Sequence, residues 1–111
     1  MGKFIKGDVV VLPFPFSDLS SNKHRPALVI SPLNGDDVIL CAITGMSNDK
    51  DIYIISLLQS DFNNGNLDRD SFIRPNKLFT ADSKIIVKKK GSLADYKIKE
   101  VVVKLTEIIE N

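Results

Sequence analysis

Apolar and polar positions along this chain change period once. From residue 7 to about residue 89 the apolar residues sit in short, β-branched runs separated by Gly, Pro, Asn and Ser. Residues 7–12 (Gly-Asp-Val-Val-Val-Leu) read as a strand that Pro13-Phe14-Pro15-Phe16 stops, because proline lacks the N–H a central strand needs. The polar stretch from Ser17 to His24 reads as a long loop. Residues 25–33 resume as a strand up to Asn34-Gly35, a strong short-range hairpin signal, with residues 36–44 as the partner. Further strands are expected at 52–58, 71–74 and 84–89, with a polar stretch from Ser60 to Arg69 between the first two. At the end the spacing becomes helical: Ile98, Val101, Val102, Leu105, Ile108 and Ile109 form one stripe, with Ser92 and Asp95 as a start signal. Several strands and one terminal helix predict a mainly β fold, an antiparallel barrel or sandwich closed on one side by the helix. No repeat or linker interrupts it, so residues 1–111 are expected to form a single domain.

The hairpin locates neighbours. With Asn34-Gly35 as a two-residue loop, residue 33 pairs with 36 and Arg25 stands opposite Thr44 at the open end. With Gly35-Asp36 as the loop, the pairing moves by two residues. Both faces of this hairpin are largely apolar, which makes it central in the sheet.

Composition narrows the class. The chain has 111 residues, 43% hydrophobic and 26% charged, which suits a globular domain and excludes a disordered tail. Its one cysteine, Cys41, excludes an intramolecular disulfide framework and a multi-cysteine zinc site, and its apolar run reads as a buried, inert thiol. No run is long enough to span a bilayer or to act as a signal peptide, and Met1-Gly2 is followed by Lys6 where a myristoylation start needs Ser or Thr. A cytoplasmic protein without membrane association is expected.

The net charge of +1 conceals an uneven distribution. The first and last thirds are basic and the middle is acidic, so a cationic surface arises if the two ends of the chain meet in space. The competing reading is that the late lysines simply solvate a surface helix and hairpin. Lys88-Lys89-Lys90 likewise has two readings, a phosphate-binding track or, preferred, a hairpin edge kept from pairing with other chains. Arg25 and Thr44 together suit a phosphate, as a bidentate cation beside a neutral donor. Against this stands an Arg25 paired to Asp18, with Thr44 placed for strand propensity.

Two segments favour the first reading of that pair. Gly7 to Phe16 followed by His24-Arg25-Pro26-Ala27-Leu28-Val29-Ile30-Ser31 resembles the opening of the PemK/MazF toxin family. Asp70-Ser71-Phe72-Ile73-Arg74-Pro75-Asn76-Lys77-Leu78-Phe79-Thr80 resembles its downstream strand, and Lys90-Gly91-Ser92-Leu93 with the closing helix completes the order. The resemblance implies a small SH3-like antiparallel β-barrel with a C-terminal α-helix, acting as a homodimer. It implies a metal-independent endoribonuclease that needs no cofactor and cuts single-stranded RNA at short sequences. It also implies a cognate antitoxin protein as partner, and DNA binding by the toxin–antitoxin complex.

By the same resemblance Arg25 and Thr44 carry the chemistry, with the ribose 2′-hydroxyl attacking phosphorus to leave a 2′,3′-cyclic phosphate and a 5′-hydroxyl. His24, the one histidine, is a candidate acid or base, against the reading that it stacks on a base or caps the loop. Ser17, Ser20, Ser21 and Lys23 are expected to bind RNA from the loop, and Arg74 and Asn76 from the downstream strand. Asn76 stands where some members carry an acidic residue proposed as general base, and an amide cannot accept that proton at neutral pH. The alternative is a non-catalytic relative that binds gyrase, as CcdB-type toxins do, or RNA or a partner protein.

Overall fold

Val9, Val10 and Leu12 are fully buried, and the strand they belong to lies inside the sheet. The computed structural model of the chain describes residues 3–13, 23–47 and 49–111. Among them run β1 (Asp8–Pro13), β2 (His24–Pro32), β3 (Asp37–Thr44), β4 (Ile55–Leu57), β5 (Phe62–Gly65), β6 (Ser71–Asp82) and β7 (Lys88–Leu93), followed by α1 (Asp95–Glu110). The seven strands form one antiparallel sheet in the order β4-β6-β3-β2-β1-β7-β5.

That order forces the sheet to curl. Laid flat, six inter-strand gaps would hold the edge strands β4 and β5 roughly 29 Å apart. Yet β4 ends at Leu57 and β5 begins at Phe62, and five residue steps reach at most about 18 Å. The result is a half-barrel whose two edges are joined by a 3₁₀ turn at Gln59–Asp61 rather than by ladder hydrogen bonds.

Alternation along the strands gives the sheet two apolar faces. One carries Val9, Leu28, Cys41, Ile43, Ile55, Leu57, Ile73 and Leu93, and α1 covers it with Val101 and Leu105. The other gathers Phe4, Val10, Leu12, Ala27, Val29, Val38, Leu40 and Ala81. Within the helix stripe Val101 is fully buried while Ile109 is 73% exposed, so the covering face is narrower than the apolar pattern.

Several local expectations change. The β2–β3 turn contains three residues, not two: the Leu33 N–H donates to the Asp37 carbonyl at 2.9 Å, and Gly35 between them has φ +81°. A bulge between Val29 and Ser31 takes up the extra residue, so Leu28 faces Cys41 and Ala27 faces Ala42 as the two-residue turn would also have placed them. Strand β6 does not stop at residue 74. It continues to Asp82 past a bulge of Pro75, Asn76 and Lys77, where proline has no N–H for the ladder. The strand expected at 52–58 shrinks to Ile55–Leu57, and the polar stretch after it contains β5. The strand expected at 84–89 begins only at Lys88, after a 3₁₀ turn at Ser83–Ile85. Ser92 is not a helix start: it lies in β7 opposite Asp8, and α1 is preceded by Ala94 with no side-chain cap.

Candidate functional site

The open end of the β2–β3 hairpin brings Arg25 and Thr44 to one cavity. The last pair of that ladder is Ala27 with Ala42, and two residues further along each strand stand Arg25 and Thr44. Both line a cavity of about 370 Å³ together with His24, Pro26, Gly45, Arg69, Ser71, Lys88 and Lys90. The Thr44 Oγ1 accepts a hydrogen bond from the Met46 N–H at 3.2 Å. That contact occupies a lone pair and leaves the hydroxyl proton free to point at a ligand oxygen. Arg25 is exposed, and no carboxylate among the described residues pairs with it. Asp18, its suggested partner, lies outside the described residues.

The charge of the cavity comes from both ends of the chain, as the segment charges required. Val11 of β1 pairs with Lys88 of β7, so the basic last third is laid beside the start of β2. Lys88-Lys89-Lys90 divides between two tasks. Lys88 and Lys90 line the cavity, while the Lys89 ammonium lies 3.3 Å from Oδ1 of the buried Asp8. The other Asp8 oxygen accepts from the Ile5 N–H at 3.0 Å. β5 reaches β7 only from Gly91 onward, so Lys88 and Lys89 have β1 on one side and no strand partner among the described residues on the other, which fits the edge reading as well. Arg69, which no sequence pattern singled out, is a further cation here. Four cationic side chains thus face one carboxylate, Asp68, which lies 3.8 Å from the Lys90 ammonium.

The remaining expected residues are not all gathered here. Lys23 is exposed just before β2, and Ser17, Ser20 and Ser21 lie outside the described residues. Arg74 and Asn76 line a separate, smaller cavity with Lys50, Asp51 and Tyr53. Arg74 Nε donates to Asp51 Oδ2 at 3.0 Å, and that carboxylate is only 4% exposed. Its other oxygen accepts from the Tyr53 N–H at 3.0 Å. Thr44 connects the two regions, since it also lines a pocket with Arg74, Met46 and Ser47. Asn76 projects from the β6 bulge and is exposed.

Volume alone does not select the site. A cavity of about 360 Å³ lies at the other end of the hairpin, but Asp36 and Asp37 line it with Lys3, so its charge would repel an anion that the first cavity attracts. Cys41 takes no part in either, and burial pushes its thiol up to about 12.

Comparison with known proteins accords with this geometry. A profile of the PemK-like, MazF-like toxins of type II toxin–antitoxin systems matches residues 5–109, and the chain belongs to that family. Among solved structures, the MazE–MazF complex of Deinococcus radiodurans is similar at 18% identity, covering 96% of this chain and 95% of that one, with a TM-score of 0.76. A mycobacterial endoribonuclease in complex with its cognate antitoxin is similar at 12% identity, covering 96% and 94%, with a TM-score of 0.74. A second mycobacterial endoribonuclease structure gives 14% identity, 99% and 94%, and the same TM-score. At these identities the likeness is one of fold: the curled β sheet with a C-terminal helix. No curated protein matches in sequence. No helix of the described residues is long and apolar enough to cross a membrane.

Proposed function

We propose that residues 1–111 form one toxin domain that cleaves single-stranded RNA in the cytoplasm, without a metal ion, and that a cognate antitoxin protein restrains it. The observation that carries this reading is the meeting of Arg25 and Thr44 in a cationic cavity at the open end of the β2–β3 hairpin. The family and the endoribonuclease relatives support the same activity.

The reaction is attack of a ribose 2′-hydroxyl on the adjacent phosphorus. Negative charge grows on the non-bridging oxygens as the phosphorane forms, and fixed donors aimed there lower the barrier. Arg25 supplies two parallel N–H donors and a full positive charge. Thr44 donates its hydroxyl proton to another oxygen, oriented by the N–H of Met46. The O5′–P bond breaks, leaving a 2′,3′-cyclic phosphate and a 5′-hydroxyl. His24, which lines the same cavity, is the candidate to carry a proton between the two oxygens. Lys88 and Lys90 hold the RNA backbone, and Lys23 with Ser17, Ser20 and Ser21 would extend that contact. A homodimer, and DNA binding by the toxin–antitoxin complex, belong to this proposal. Arg74 and Asn76, which line the adjoining cavity, would contact the RNA as well, with Arg74 Nε held by Asp51.

The test is incubation of the purified protein, in EDTA, with a long single-stranded RNA beside Arg25→Ala, with the ends mapped. Discrete cuts with 5′-hydroxyl ends, lost in the variant, are expected. A folded wild-type protein that leaves the RNA intact would sink the enzyme reading.

A further inference from the structure

Arg69 stands between Asp68 and Asp70, an arrangement that in sequence looks self-neutralising. Neither aspartate is ion-paired to it, although Asp68 lines the same cavity. Asp68 faces the Lys90 ammonium at 3.8 Å, and Asp70 Oδ1 accepts from the Gln59 N–H at 3.2 Å. The backbone around Arg69 is pinned as well. The Ser71 hydroxyl donates to the Arg69 carbonyl at 3.1 Å, and Gln59 Nε2 donates to the Leu67 carbonyl at 2.9 Å.

What remains is the guanidinium, which lies directly over Gly45. A Cβ added there would stand 2.7 Å from Arg69 Cζ and Nε, well inside contact distance. Gly45 follows Thr44, and all three residues line the cavity that holds Arg25. The missing side chain at Gly45 thus gives Arg69 a seat in the cavity that Thr44 also lines. A cation with a fixed backbone, no ion-paired carboxylate among the described residues and a seat in a cavity whose cations outnumber its one carboxylate, Asp68, is a ligand in waiting.

We propose that Arg69 is a further phosphate ligand of this site, holding the RNA backbone in the cavity where Arg25 and Thr44 engage the reacting group. The inference rests on the reading of the cavity as an RNA site and adds a residue to it. Pairing with RNA phosphate releases a bound counterion, so removing Arg69 lowers the salt dependence of binding as well as its strength.

The experiment measures binding of a short, random-sequence 2′-O-methyl RNA, which has no nucleophile, across a salt series. Arg69→Ala is expected to weaken binding about tenfold, the loss of one charge-assisted contact. The slope of log K against log salt should fall in magnitude by about 0.7, the value for one phosphate contact on a single strand. Lys99→Ala removes the same charge from the exposed face of α1 and is expected to leave the slope unchanged. Gly45→Ala keeps every charge and is expected to weaken binding by unseating the guanidinium, with an unaltered thermal melt showing that it folds. If wild type binds and cleaves RNA while Arg69→Ala matches Lys99→Ala, the Arg69 role is overturned and the nuclease reading stands. Unchanged binding by Gly45→Ala would overturn the seating. A wild-type protein that neither binds nor cleaves RNA overturns both proposals.

Discussion

Lys97 donates from its ammonium to the Ser56 carbonyl at 3.1 Å, and so ties the terminal helix to an edge strand of the sheet. The same ammonium lies 3.6 Å from Asp61 Oδ2 and 2.8 Å from Glu100 Oε1. Asp61 in turn accepts from the Leu58 N–H at 2.8 Å and from the Tyr96 hydroxyl at 2.6 Å, and its carbonyl accepts from the Ala94 N–H. These contacts surround the turn between β4 and β5. They close the half-barrel at the place where no ladder hydrogen bonds can.

Replacing Lys97 with Met should therefore open that seam. The Lys97 side chain is only 7% exposed and the Asp61 side chain 9%, so the change leaves a mostly buried carboxylate without its countercharge. A loss of about 3 kcal/mol in unfolding free energy is expected, measured by urea titration. A change below about 0.5 kcal/mol would mean that the apolar contacts of α1 alone hold the seam.

Acid should weaken the same closure. Burial by itself would raise the Asp61 carboxyl, but the Tyr96 hydroxyl, the Leu58 N–H and the Lys97 charge together outweigh it and hold the group below its ordinary value. A carboxyl lowered in the folded state contributes its full stability above the unfolded value of about 3.9 and loses it as pH falls through the folded value. The stability gap between wild type and Asp61→Asn should be widest near neutrality and shrink below about pH 4. A gap that stays constant down to pH 2 would show that Asp61 acts through shape alone.

Arg74 and Asp51 should behave as a coupled pair. The Asp51 carboxylate is almost fully enclosed, and the ion pair anchors the segment that follows Thr44 to β6. A double-mutant cycle with Arg74→Gln and Asp51→Asn is expected to give a coupling of roughly 1–2 kcal/mol in stability. Additive effects would show that the pair does not anchor this segment.

Thr44→Val keeps the shape of the side chain and removes both the acceptor for Met46 and the proton offered to the phosphate. Cleavage should fall by roughly a hundredfold or more, the usual loss for a single transition-state donor. Thr44→Ser should retain most of the activity. Activity retained in Thr44→Val and lost in Thr44→Ser would point to the methyl group instead.

Cys41 should be silent to thiol reagents in the folded protein, because the reactive form is the thiolate and burial disfavours it. Labelling at pH 8 is expected to speed up on the order of a thousandfold in denaturant, as the β3 core opens. Rapid labelling of the native protein would place β3 outside the stable core.

The sequence by itself determined the elements whose signals are local. β-Branched runs, the Asn34-Gly35 turn and the helical spacing after residue 98 specified the first three strands and α1, because each depends on neighbours within one turn or one strand. Arg25 and Thr44 could be paired for the same reason, although the longer turn and the bulge at Ile30 had to offset one another for that pairing to hold. Strand β5 (Phe62–Gly65) gave no such signal, since its Asn- and Gly-rich residues are held by β7 rather than by any apolar alternation of their own.

The tertiary structure alone decided which charges act together. Lys88, Lys89 and Lys90 are consecutive in the chain, yet β7 sends the outer two to the cavity and the middle one to buried Asp8. Arg69 is flanked by two aspartates and ion-paired to neither, while Arg74 is paired to Asp51, remote in sequence. Charge interactions depend on distance in space, and these distances are set by strand order and by the packing around Gly45 and Gln59, which no local window of sequence contains.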